Sequence, residues 1–111
     1  MGLANQIQRK AKAMNTSFKK HEYVDIPTKI QGIVFYSMLN RRHANPNVVN
    51  ACEKAIREVC KNNNERKMLK EFVTTESSYV TVASKHYYSV RSLERLYSKY
   101  LRVASQKVIN L

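Results

Sequence analysis

Apolar residues recur along most of this chain at intervals of three and four, the spacing of helices that bury one face. The clearest stretch follows Pro46: Val48, Val49, Cys52, Ala55, Ile56, Val59 and Cys60 fall on one side, with charged residues on the other. Asn45 can cap that helix, and Pro46 suits its first position, where the backbone N–H has no partner to lose. Two i, i+4 pairs, Glu53–Arg57 and Lys54–Glu58, are expected on the outer side. Asn62-Asn63-Asn64 closes the helix. Asn62 and Glu65 then have the spacing of a capping box for a further helix, which buries Met68, Leu69, Phe72 and Val73.

Upstream, a helix should run from Pro27 or Thr28 to about Arg42 and bury Ile30, Ile33, Val34, Tyr36 or Ser37, and Met38. Gly32 inside it costs about 1 kcal/mol relative to Ala, and close approach of another helix would explain it. Tyr23 to Pro27 reads as a connector, because the residue before a proline avoids helical angles. Residues 3–15 carry Leu3, Ile7, Ala11 and Met14 in a narrow stripe, with Phe18 beyond. Such a stripe suits a helix docked by one edge, or one formed only on contact with something else.

Residues 78–104 have a different organisation: two short helices joined by a tight turn, after a polar loop over Thr74 to Ser78. Ala83 is small enough to let the second helix cross close to the first. Ser89 can cap that second helix by accepting from a first-turn N–H. Leu93 and Leu96 point inward at spacings of ten and thirteen from Ala83, and Tyr88 would plug the gap between the helices. The apolar stripe continues through Tyr97, Tyr100, Leu101, Ala104 and Val108. Arg91, Ser92, Arg95, Ser98, Lys99 and Arg102 are left outside. This is the layout of a helix-turn-helix, whose second helix enters the major groove. Two features resist it. The turn position that often needs glycine holds Tyr87, and a bulky residue is uncommon at positive φ. Tyr79-Val80-Thr81-Val82 also favours a strand by propensity. Either the turn takes another geometry, or the two helices are an ordinary packed pair. The expected fold is all-α: a single domain of five or six helices with the helix-turn-helix at its C-terminal end. Residues 1–22 form a basic arm or helix, and residues 23–111 the helical domain.

Charge changes the picture from fold to partner. Lys and Arg number 20 against 8 Asp and Glu, a formal net charge of +12 on 111 residues. Such an excess attracts polyanions from a distance. It gathers at both ends: Arg9, Lys10, Lys12, Lys19 and Lys20 near the start, and six basic residues against Glu94 alone over residues 85–111. With only 2 Gly and 2 Pro, long helices and few turns are expected. No run approaches the roughly 18 apolar residues of a membrane span, so no membrane partner is expected.

Catalytic chemistry finds little to work with. Cys52 and Cys60 stand eight apart on one helix face, about 12 Å along its axis, too far for a disulfide. Free core thiols in a reducing, cytoplasmic setting are expected. His21, His43 and His86 have no metal-ligand spacing with the cysteines or one another. The acids are scattered rather than clustered for a divalent ion, and no glycine-rich phosphate loop exists. The chain reads as a non-enzyme without metal or cofactor.

The C-terminal half resembles small regulators of Gram-positive bacteriophages, the RinA/ArpU-like activators. The residues that carry the resemblance are Glu65-Arg66…Met68-Leu69…Phe72-Val73, a polar linker, then His86-Tyr87-Tyr88-Ser89-Val90-Arg91 and a long basic helix. The resemblance covers at most residues 62–108 and is a pattern of residue types. It implies a helix-turn-helix similar to region 4 of bacterial sigma factors, in a transcriptional regulator that binds double-stranded DNA. It further implies that Arg91, Ser92 and Arg95 approach base edges, while Lys85, Tyr87, Ser89, Lys99 and Arg102 meet phosphates. A two-fold homodimer and contact with RNA polymerase or another host protein are compatible with it. Two other classes stay open: a basic inhibitor or adaptor that binds an acidic surface of a host protein, and a protein that binds RNA or any nucleic acid.

Overall fold

A computed structural model describes residues 28–111. The basic arm with Arg9, Lys10, Lys12, Lys19 and Lys20, the stripe over residues 3–15 and the connector up to Pro27 lie outside the described residues. Five α-helices follow in order: α1 (Thr28–Leu39), α2 (Pro46–Val59), α3 (Asn63–Thr74), α4 (Tyr79–Lys85) and α5 (Val90–Ile109).

Local chemistry sets most boundaries. The Asn45 side chain accepts from the Asn47 N–H at 2.8 Å, and Pro46 occupies the first turn of α2. Asn62 accepts from the Glu65 N–H at 2.9 Å to start α3. Glu65 does not close the box on Asn62: its carboxylate accepts from the Lys61 N–H at 2.8 Å, one residue upstream. At the far end of α3, the hydroxyls of Thr74 and Thr75 turn back and donate to the carbonyls of Lys70 and Glu71, at 2.6 and 2.7 Å. The Thr75 bond supplies a partner for the Glu71 carbonyl, one of those that the last helical turn leaves open. Ser78 then caps α4 by accepting from the Thr81 N–H at 3.2 Å.

α5 is the spine, and the other four helices all pack on it. Its inner stripe of Leu93, Leu96, Tyr97, Tyr100, Leu101 and Ala104 is buried, as expected. Met38 of α1, Cys52, Ala55 and Ile56 of α2, Met68, Leu69 and Phe72 of α3, and Val82 and Ala83 of α4 close around it. An aromatic group joins the last three helices: the Phe72 ring lies 4.6 Å from Tyr79 and 5.0 Å from Tyr97, and Tyr97 stacks on Tyr100 at 5.8 Å. These spacings are those of favourable ring pairs. They explain why Tyr79-Val80-Thr81-Val82 is helical despite its strand propensity: Tyr79 and Val82 reach the aromatic core only from a helix capped at Ser78.

Both cysteines are free and buried. Burial pushes each thiol up to about 11, so neither is a ready nucleophile near neutral pH.

The first helix departs furthest from its expected form. It stops at Leu39 rather than Arg42, and a turn carries the chain to α2. Its buried face is Gln31, Val34, Phe35, Ser37 and Met38, whereas Ile30 and Ile33 are only half-buried and Tyr36 is exposed. α1 is apolar nearly all round, so its spacing left the inward direction undetermined. Among the described residues a Cβ built at Gly32 meets nothing within 4 Å, so no described helix approaches it closely. The expected pairs along α2 are also replaced: Glu53 turns to Lys70 of α3 at 3.7 Å, and Glu58 to Lys107 of α5.

Candidate nucleic-acid interface

The turn between α4 and α5 determines how α5 is presented, and it is built from backbone bonds. The Tyr88 N–H donates to the Ala83 carbonyl at 2.9 Å, and the Tyr87 N–H donates to the Ser84 carbonyl at 3.1 Å. These are the 6→1 and 5→2 bonds of a Schellman ending, which places the intervening residue in the left-handed region. That residue is Tyr87, with φ 62°, the only described non-glycine residue at positive φ. Of the two alternatives raised by Tyr87, another turn geometry does not occur, while an ordinary packed pair of helices has the same bend open to it. The left-handed bend forms with tyrosine in it.

Tyrosine fits because its side chain points away from everything: Tyr87 is 96% exposed. Its neighbour takes the opposite course. Tyr88 is half-buried against the core, and its N–H bonds to the carbonyl of Ala83, whose side chain is fully buried. Ala83, Tyr88, Leu93 and Leu96 thus sit together as their spacing predicts.

A carboxylate from α3 secures the bend. Glu71 holds His86, the residue that ends α4, with Oε1 2.9 Å from Nε2. Its Oε2 accepts from Lys85 Nζ at 3.1 Å. The His86 hydrogen bond, followed by the bond and charge of Lys85, keeps the Glu71 carboxyl below its ordinary value. Nothing in the sequence pairs Glu71 with His86, because their separation of fifteen residues matches no helical or hairpin pattern.

α5 then starts at Ser89, whose hydroxyl accepts from the Ser92 N–H at 3.0 Å and donates to the Ser92 hydroxyl at 2.8 Å. Beyond that cap, Arg91, Arg95, Lys99 and Arg102 are exposed. Their spacing of four, four and three places them on one flank, over about 16 Å of helix. Ser92 is exposed beside them and Ser98 is half-buried.

The candidate residues thus divide into two groups. Arg91, Ser92, Arg95, Lys99 and Arg102 share the open side of α5, and Tyr87 stands at the end of the turn that leads into it. Lys85 and Ser89 pair with Glu71 and Ser92, so Ser92 is itself engaged by the cap, and exposed Arg102 also takes part in an interaction within the protein. Among the described residues no group of three or more His, Cys, Asp or Glu could hold a metal ion, and no helix is long and apolar enough to cross a membrane.

Comparison with known proteins finds no match: no family model, no characterised protein and no solved structure is detectably similar to this chain.

Proposed function

We propose that this protein binds double-stranded DNA in a sequence-dependent manner, as a transcriptional regulator of a phage or other mobile element. In this reading α4, the left-handed turn and α5 act as a helix-turn-helix, and the first three turns of α5 enter the major groove. One observation carries the reading: a helix whose inner stripe is sealed in the core leaves a row of guanidinium and ammonium groups on its outer side. A surface helix needs no such row for stability. A groove lined with phosphates and purine edges suits it.

Roles follow from position along α5. Arg91, Ser92 and Arg95, nearest the turn, approach base edges. Arginine meets guanine O6 and N7 with two parallel N–H donors, a contact worth about 1–3 kcal/mol of discrimination. Lys99 and Arg102, farther along, meet phosphates as the duplex curves away, and the Tyr87 phenol reaches the backbone beside the turn. The formal charge of +12 draws the protein to any duplex, so specificity must come from the few base contacts. The RinA/ArpU-like regulators remain the family we propose on residue pattern.

The test is selection of bound fragments from a random duplex pool, followed by filter binding of the selected site and of random duplex at two salt concentrations. A preferred sequence retained at the higher salt supports the regulator. Equal loss of all duplexes as salt rises refutes sequence reading and leaves general polyanion attraction.

A further inference from the structure

We propose that Glu71 is a positioning residue for DNA reading: by holding the end of α4, it sets the angle at which α5 leaves the body. The inference rests on the DNA reading of α5 and adds to it a residue outside the contact surface.

Glu71 stands in a conflict of charge. A carboxylate beside a surface meant for phosphates works against affinity. Glu71 also engages Lys85, one of the cations nearest the turn. Attraction to DNA alone would favour a neutral residue at this position. What the carboxylate does instead is geometric. Both of its oxygens are used, and both partners belong to consecutive residues at the end of α4, fourteen and fifteen positions away.

His86 is the hinge point. Its backbone N–H bonds to the carbonyls of Val82 and Ala83, and the left-handed Tyr87 follows it at once. Ser89, the cap of α5, is three residues further on. A residue in the left-handed region without glycine is strained and persists only where surrounding contacts over-determine it. Glu71 supplies such contacts from a different helix. The Lys85 and His86 bonds stop the last turn of α4 from unwinding, which would relax Tyr87 and swing the start of α5. Base reading tolerates little of that motion, because contact geometry must hold to roughly 0.5 Å.

Charge and position predict different affinity ratios for Glu71→Gln. If the carboxylate is only an opposing charge, its loss strengthens binding to all duplexes alike. If it positions α5, random duplex is bound more tightly, with a salt slope steeper by up to about 1 as Lys85 is released. The ratio of selected-site to random affinity meanwhile falls by about tenfold as base contacts lose register. His86→Ala breaks the same bracket while leaving the Glu71 charge in place. Positioning predicts the same fall in ratio there, with no gain on random duplex.

The experiment measures both affinities for wild type, Glu71→Gln and His86→Ala, with amide hydrogen exchange on the free proteins. The Tyr88 N–H, bonded to Ala83, should lose at least about tenfold in protection in both variants while α2 amides are unchanged, as for a local opening. An unchanged affinity ratio, or unchanged Tyr88 protection, overturns the proposal. A wild type that prefers no sequence overturns the DNA reading instead, and Tyr88 exchange still decides whether Glu71 holds the turn.

Discussion

Replacing Tyr87 by glycine should make the protein more stable although it deletes the largest side chain in the turn. The left-handed conformation costs a residue with a Cβ about 1–2 kcal/mol, and Tyr87 holds it at φ 62°. Glycine relieves that strain but brings a more flexible unfolded chain, at about 0.5–1 kcal/mol. Almost nothing is lost from burial, since the residue is 96% exposed. The net gain is about 0.5–1 kcal/mol, which for a domain of this size raises Tm by roughly 2–8 °C. Helical circular dichroism during thermal and urea unfolding measures it. Two further variants isolate the cause. Tyr87→Ala keeps a Cβ and so the strain, and should gain nothing. Tyr87→Asn should fall between, because asparagine tolerates this region. If Gly and Ala prove equally stable, no strain is stored in the turn and the reasoning fails. The same variants report on function. A phenol that meets the DNA backbone makes Tyr87→Gly more stable yet weaker in binding. A gain in stability with unchanged binding removes Tyr87 from the interface.

Other changes test other links. Gly32→Ala should stabilise by about 1 kcal/mol, because the added methyl meets nothing within 4 Å; a lower urea midpoint would show that α1 is packed more tightly than described. Ala83→Leu forces a larger side chain into a fully buried site and should cost about 1–3 kcal/mol, read by urea unfolding, with loss of DNA selectivity. Arg95→Ala should weaken binding to a selected site far more than to random duplex, by about 1–3 kcal/mol of discrimination in filter binding; equal losses make Arg95 a phosphate contact. The Glu71 carboxyl lies below its ordinary 4.5 in the folded protein, chiefly through its bond with His86. Its contribution is therefore present above that value and lost as pH falls through the lower folded one. Glu71→Gln should flatten this part of the acid-unfolding profile, and an unchanged profile would show that the bracket contributes no stability.

Much of the architecture was legible in the chain because local rules and burial agree there. Asn45, Asn62 and Ser89 cap helices as their positions suggest, whereas Ser78, which reads as the end of a polar loop, also caps the helix that strand propensity argues against. The expected stripe is buried from Leu93 to Ala104 and only half-buried at its last member, Val108, since its polar side is as well marked as its apolar one. α1 departs in part for the opposite reason: Val34, Ser37 and Met38 are buried as expected, but Ile30 and Ile33 are not. With Ile30, Ile33, Val34, Phe35, Tyr36, Met38 and Leu39 spread around the helix, no periodicity selects Gln31 and Phe35 for the inside. The surface ion pairs differ from those expected because Glu53 and Glu58 meet Lys70 of α3 and Lys107 of α5 instead of partners on their own helix. Exposed pairs of this kind contribute little, so the sequence is under weak pressure to announce them.

The candidate site shows the same division. Arg91, Arg95, Lys99 and Arg102 were found by elimination, as what the buried stripe of α5 leaves outside. Glu71 and His86 could not be found that way, for they meet only once α3 and α4 are packed. Tyr87 was noticed as an objection and turns out to be a property of the turn itself. The two faces of α5 therefore make separable demands on the sequence. Leu93, Tyr97 and Tyr100 answer to packing, so shortening them should unfold the domain before it alters any preference among duplexes. Arg91, Arg95 and Lys99 answer to whatever the helix meets, and neutralising them should leave Tm nearly unchanged while binding falls. Glu71 and Tyr87 belong to neither face: one fastens the turn and the other carries its strain. Substitutions there should move stability and selectivity independently of each other, a result that no arrangement of two simply packed helices predicts.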